Sequence, residues 1–160
     1  MADSIDSLAA ALGRMPSGIF VLTTGLNGRS SGMLASWVQQ AGFEPPMITV
    51  AVRRDRYIAE WIAESGSFTL NQVGAGNKPL LKHFGRGFGP DEPAFTGVAI
   101  REDRPDGPIL ADAIAYLHAV VKGSIDSGDH RIFLAEVTQG ARLDPDADPM
   151  VHIRKSGLHY

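Results

Sequence analysis

The sequence predicts a mainly β protein, an antiparallel barrel with a few helices packed at its ends, and three observations carry that reading. Two long β-rich segments, AIAYLHAVVKGSID (113–126) and HRIFLAEVTQGARL (130–143), are joined by Ser-Gly-Asp and should pair as a hairpin. Further short β-rich runs are set off by turn and edge signals, Asn27-Gly28 and Pro45-Pro46. Counted along the chain there are about six or seven strand-like runs against two or three helical ones, too few helices for a βαβ series.

The elements follow in order. Residues 5–13 have helical spacing, with Ile5, Leu8, Ala9 and Leu12 on one face and Ser4 as a cap. GIFVLTT (18–24), the stretch around 32–38 and MITVAV (47–52) read as strands. RYIAEWIAE (56–64) reads as a helix, since Ile58, Trp61 and Ile62 fall at i, i+3 and i+4. SFTLNQV (67–73) is a further strand, and Lys78 to Phe84 a short helix that Pro79 could begin. Residues 85–108 form a Gly/Pro-rich excursion without periodicity, of the kind that often carries function.

Composition sets the outer bounds. A chain of 160 residues, 44% hydrophobic, is sized for one domain, residues 1–160, with a real core. A net charge of −3, from 15 basic and 18 acidic residues, gives no basic face for a nucleic acid. There is no cysteine, which excludes disulfides, thiolate nucleophiles and Cys-ligated metal. Acidic residues stand where a secretory signal would be basic, and no apolar run reaches the length of a membrane span. The expectation is a soluble, cytoplasmic protein.

Several motifs reduce to ordinary loops. GAGNKP (74–79) has Pro79 where a dinucleotide fingerprint needs its third glycine, and no βαβ unit surrounds it. GRGFG (85–89) lacks the Lys and Ser/Thr of a P-loop. The five histidines show no ligand spacing, so no metal is expected, and no G-x-S-x-G elbow is present.

Two stretches hold more. Arg53-Arg54-Asp55-Arg56 follows a strand and opens a helix, where free N–H groups and cationic side chains suit a phosphate; a solvated loop capped by Asp55 fits the spacing equally. SSGMLASWVQQAGFEPP (30–46) places small residues at Gly32, Ala35 and Ser36, letting a flat ligand approach the backbone beside neutral hydrogen-bonding groups. Polar residues pointing to solvent on alternate positions of a strand are the other reading.

The order of LGRMPSGIFVLTT, GMLASWVQQAGFEPPMITVAV, SFTLNQV, KHF (82–84), GPILADAIAYLHAVV, GDHRIFLAEV and HIRKSGLHY resembles the flavin reductase-like family, the FMN-binding split barrels, from about Leu12 to Tyr160. The chain looks most like the flavin reductase domain at the C-terminus of cyanobacterial diflavin (flavodiiron) proteins, through LASW, the Arg-Asp-Arg after the strand and RK-x-G-x-HY. Beginning with its own Met1 and without a diiron or flavodoxin-like portion, it is expected to be a free-standing relative.

The resemblance implies an antiparallel Greek-key split β-barrel, a homodimer and FMN near the subunit interface. Leu34, Ala35, Ser36 and Trp37 occupy the segment that lies along the ribityl chain and ring, and Gln40 the same binding loop. Arg54 and Arg56 stand in the phosphate turn, where many members have Ser or Thr. Asn71 matches the asparagine of a Phe-x-Val-Asn strand, His130 the Asp-His motif on the nicotinamide side, and His159 and Tyr160 the segment bordering the pocket. The implied function is an NAD(P)H:flavin oxidoreductase that binds FMN, with FAD as the alternative, and passes electrons to a partner protein. His130 is the candidate catalytic residue. A non-catalytic FMN electron carrier and a split-barrel module for haem or another ligand stay open beside it.

Overall fold

The computed structural model describes residues 2–160. Its helices are α1 (Ala2–Gly13), α2 (Tyr57–Ser65) and α3 (Lys78–Gly85). The strands are β1 (Ser17–Gly18), β2 (Phe20–Leu26), β3 (Arg29–Ala35), β4 (Val38–Gly42), β5 (Met47–Arg53), β6 (Ser67–Gln72), β7 (Ile100–Glu102), β8 (Ile109–Leu110), β9 (Ala115–Ser127), β10 (His130–Arg142) and β11 (Val151–His152). One antiparallel sheet runs in the order β3-β2-β6-β9-β10-β5-β4.

That order explains the barrel. β3 and β4 are the two ends of the sheet, yet only Ser36 and Trp37 lie between them in the chain. Three peptide steps reach roughly 11 Å at most, so the two edges must stand side by side. The Ala51 N–H donates to the Trp37 carbonyl at 3.0 Å and fixes the crossing. The single strand expected over 32–38 is therefore broken at its middle. The break is where the sheet curls shut and where the barrel is split.

Alternation along β2 feeds two cores, because successive side chains of a strand point to opposite faces. Leu22 joins Val50, Val52, Phe68, Leu70 and Phe133 inside the barrel, closed by Ile58 and Ile62 of α2. Val21 and Ile19 join Val73, Leu80, Phe84 and Leu110 beneath α3. α2 stops at Gly66, whose φ of 78° is open to glycine and whose N–H donates to the Ile62 carbonyl at 2.9 Å. α3 starts with the Leu80 N–H donating to the Asn77 side chain at 3.1 Å, with Pro79 in its first turn.

The expected hairpin forms, with β9 and β10 joined through Gly128 at φ 60° and Ser127 opposite His130. The 85–108 excursion carries β7, which pairs with β8 just beyond it, and polar groups pin its end to the barrel. Thr23 Oγ1 donates to the Pro108 carbonyl at 2.8 Å and Thr69 Oγ1 to that of Gly107 at 3.1 Å. Asn71 Nδ2 donates to the Pro108 and Val21 carbonyls at 3.3 and 3.2 Å, and its Oδ1 accepts from the Leu110 N–H at 2.8 Å. The approach is close enough that a Cβ on Gly25 would collide with the Pro105 carbonyl.

His118 closes the same seam. Its Nε2 lies 3.0 Å from Asp106 Oδ2 and its Nδ1 3.1 Å from Thr69 Oγ1, with Arg104 and Glu102 completing the local charges. Burial pushes its pKa below the ordinary imidazole value of 6.5, outweighing the Asp106 carboxylate that pulls the other way. The unfolded chain then takes up a proton that the folded chain resists, so folding free energy should decline as pH falls below about 6.5. Urea denaturation between pH 7.5 and 5.5 should show that decline, and His118→Gln should flatten it. An equally steep slope in the variant would assign the loss to other groups.

Among the described residues no helix is long and apolar enough to cross a membrane.

Candidate functional site

The barrel closure builds a cleft. The end of β3, the Ser36–Trp37 crossing, the end of β5 and the last turn of α3 surround a cavity of about 210 Å³. Met33, Leu34, Ala35, Phe84 and Trp37 give it an apolar wall, Ser36 and Gly85 give small positions, and Arg53 and Arg56 are its charged groups. Among the described residues the Arg56 guanidinium has no hydrogen bond or ion pair, whereas that of Arg53 is held by the Asp55 carboxylate at 2.8 and 3.1 Å. Asp55 is thereby drawn to Arg53 and does not cap α2, whose N-cap is Arg56 without a side-chain bond. An uncompensated cation on the lining of a mainly apolar cleft suits an anionic group carried by a flat ring.

A second cleft of about 410 Å³ adjoins the first and shares Trp37, Ala51, Arg53 and Tyr160 with it. His130 sits in its floor, 7% exposed. The His130 Nδ1 lies 2.7 Å from Asp129 Oδ1, Nε2 lies 3.0 Å from the Tyr160 hydroxyl, and the ring centroid is 4.6 Å from that of Trp37. The bond to His130 holds the Asp129 carboxyl below the usual carboxylate range, so Asp129 is the acceptor and Nδ1 the donor. Burial of its hydroxyl end raises the Tyr160 phenol above its ordinary value. Arg154 lies over the Trp37 ring at 5.2 Å.

Of the residues singled out from sequence, Leu34, Ala35, Ser36, Trp37, Arg56 and Tyr160 line the first cleft, while His130, His159 and Tyr160 line the second. Gln40, Arg54 and Asn71 lie in neither. Gln40 is exposed on the sheet-end strand β4, with its amide turned to the Gly42 carbonyl at 3.4 Å. Arg54 follows the strand end and turns to the hairpin, donating to the Gly128 carbonyl at 3.1 Å beside Asp126 at 3.6 Å. Asn71 is fully buried in the seam described above.

Sequence reasoning placed Arg53 in the cationic stretch without separating it from Arg54, and missed Ala51, Phe84, Gly85 and Arg154. For Arg53 the signal was available in the period of two: Ile48, Val50 and Val52 face the core, so Ala51 and Arg53 share the other face. Nothing local in the chain announces Phe84 or Arg154, which reach the clefts through α3 and through the segment after β11.

Residues 12–157 match the family described as flavin reductase like domain. The chain belongs to that family. The putative diflavin flavoprotein A 6 of Nostoc sp. is 42% identical over 151 residues, covering 94% of this chain and 26% of that protein. Diflavin flavoprotein A 1 of Synechocystis sp. is 39% identical over 159 residues, covering 98% of this chain and 28% of that protein. The chain thus spans about a quarter of the length of the curated relatives it matches.

Among solved structures, the Streptomyces globisporus C-1027 NADH:FAD oxidoreductase SgcE6 superposes with a TM-score of 0.82 at 26% identity, over 90% of this chain and 86% of that one. Flavin reductase HpaC complexed with NADP+ gives 0.78 at 26% identity, over 97% of this chain and 95% of that one. The split barrel of these flavin reductases is the architecture that the Ser36–Trp37 crossing closes here.

Proposed function

We propose that this member of the flavin reductase like domain family binds FMN in the first cleft, takes a hydride from a nicotinamide dinucleotide in the second, and passes electrons to a partner protein. The observation that carries the reading is the unpaired Arg56 guanidinium on the lining of a mainly apolar cleft with Ala35, Ser36 and Gly85 as its small positions. Bound flavin supplies the hydride-accepting chemistry, and the protein's part is binding, orientation and electrostatics.

Each residue then has a task. Arg56, with Arg53 beside it, meets the phosphate. Leu34 and Phe84 cover the apolar part of the ring, and Ser36 offers a hydroxyl to its polar edge. His130, its Nδ1 proton fixed on Asp129, presents Nε2 to the second cleft, the side from which the nicotinamide would come. The neighbouring flavin reductase solved with NADP+ supports a nicotinamide nucleotide as donor.

We read the chain as a homodimer; Phe43, Ile125 and Leu134 are large apolar side chains left exposed on β4–β5 and the β9–β10 hairpin, as a surface for a second copy requires. The relatives named diflavin flavoproteins extend well beyond the matched part, which supports an electron-accepting partner.

Equilibrium titration of flavin-free protein with FMN and with FAD, followed by flavin fluorescence, tests the binding step. Saturable binding with quenching is expected, tighter for FMN. No saturation with either flavin would overturn the reading.

A further inference from the structure

Four residues line both clefts; Trp37, Ala51 and Arg53 belong to the barrel sheet or its crossing, whereas Tyr160 follows the last strand and is the one of the four outside the barrel. A hydride can pass only if nicotinamide and flavin rings lie face to face in one continuous space. With Tyr160 in place the first cleft, at about 210 Å³, falls short of the roughly 300–1,000 Å³ usual for a small-molecule site. Opened into its neighbour of about 410 Å³, the combined space comes within that range.

The way Tyr160 is held is that of a movable part. Residues 154–157 are fastened to α1, with the Arg154 N–H donating to the Gly13 carbonyl at 3.1 Å and that of Gly157 to the Ala9 carbonyl at 2.7 Å. Leu12 crowds Gly157 so closely that any side chain there would collide with it. Beyond that clamp the Tyr160 residue is 69% exposed, and its side chain rests on the His130 Nε2 bond at 3.0 Å and on Trp37, ring centroids 5.8 Å apart. The anchor is rigid and the ring beyond it is lightly tied.

We propose that Tyr160 is a displaceable gate: it closes the flavin cleft on the nicotinamide side by bonding His130, and an arriving nicotinamide ring displaces it and takes over the His130 Nε2. The inference rests on the flavin and nicotinamide reading above. Closure weakens nicotinamide binding by the fraction of time the gate is open, and once the oxidised nicotinamide has left it shields the reduced flavin face from stray oxidants.

The test measures the Kd of NAD+ and NADP+, which cannot react with oxidised flavin, on the FMN-loaded protein by calorimetry, for wild type, Tyr160→Phe and Tyr160→Ala. Tyr160→Phe keeps the ring and loses the His130 bond, so the nucleotide that binds wild type better should bind about three- to tenfold tighter. Tyr160→Ala should bind it tighter still, with the FMN affinity changed less. An unchanged or weaker nucleotide affinity in both variants, with FMN retained, would overturn the gate and leave the flavin reading standing. Failure of the wild-type protein to retain FMN would overturn both.

Discussion

Replacing Asn71 with alanine is expected to destabilise the fold by about 3 kcal/mol, from a buried N–H that loses its partner and a fully buried side chain that is removed. Asn71 is 0% exposed, and its amide serves the Val21 and Pro108 carbonyls and the Leu110 N–H. Alanine leaves the Leu110 N–H without its partner and empties the volume of a fully buried side chain, together costing roughly 3 kcal/mol, while Val21 stays in the sheet ladder and Thr23 still serves Pro108. A urea melt at neutral pH reads the loss directly. Because Asn71 lies outside both clefts, the surviving folded protein should bind FMN nearly as wild type does. A stability loss under about 1 kcal/mol, or an FMN defect without a stability loss, would return Asn71 to the site that the family resemblance gave it.

The second large effect concerns the cations. Arg56→Ala should weaken FMN binding by roughly tenfold to a hundredfold, the range for losing a hydrogen bond between charged groups. Arg53→Ala should cost less, since Asp55 already offsets that charge. Arg54→Ala should change little, because its guanidinium faces Gly128 and Asp126. Raising the salt concentration should weaken wild-type binding more than binding to Arg56→Ala, since the exposed end of the cleft is screened. A larger loss from Arg54→Ala than from Arg56→Ala would contradict the assignment.

The comparison of these three arginines shows how far the sequence could be read. That a basic turn follows a strand is visible in Arg53-Arg54-Asp55-Arg56, and so is its suitability for phosphate. Which arginine faces the ligand depends on strand parity, which Ile48, Val50 and Val52 encode, and on where the hairpin turn comes to rest, which they do not. The helices over 5–13 and 56–64 were legible from spacing, the helix over 78–84 from Pro79 at its start and the hairpin from Ser-Gly-Asp between two β-rich runs, because each signal is local.

Other features were not legible, for a common reason. The break at Ser36–Trp37 comes from closing a seven-stranded sheet on itself, and no local pattern announces closure. Gln40 looked like a ligand for a ring because it is polar in an apolar stretch; being exposed on β4, it needs no buried partner. Tyr160 was placed beside the pocket by the family resemblance alone; what no local pattern shows is the clamp between residues 154–157 and α1 that carries it there.

Anaerobic titration of the FMN-loaded protein with NADH and, separately, NADPH, following the visible absorbance of oxidised flavin, tests the central claim most directly. The account predicts stoichiometric bleaching by one nucleotide at a rate far above that of free FMN, slowed in Arg56→Ala by loss of flavin. Tightly bound FMN that neither nucleotide bleaches would contradict it and leave a carrier reduced by another protein.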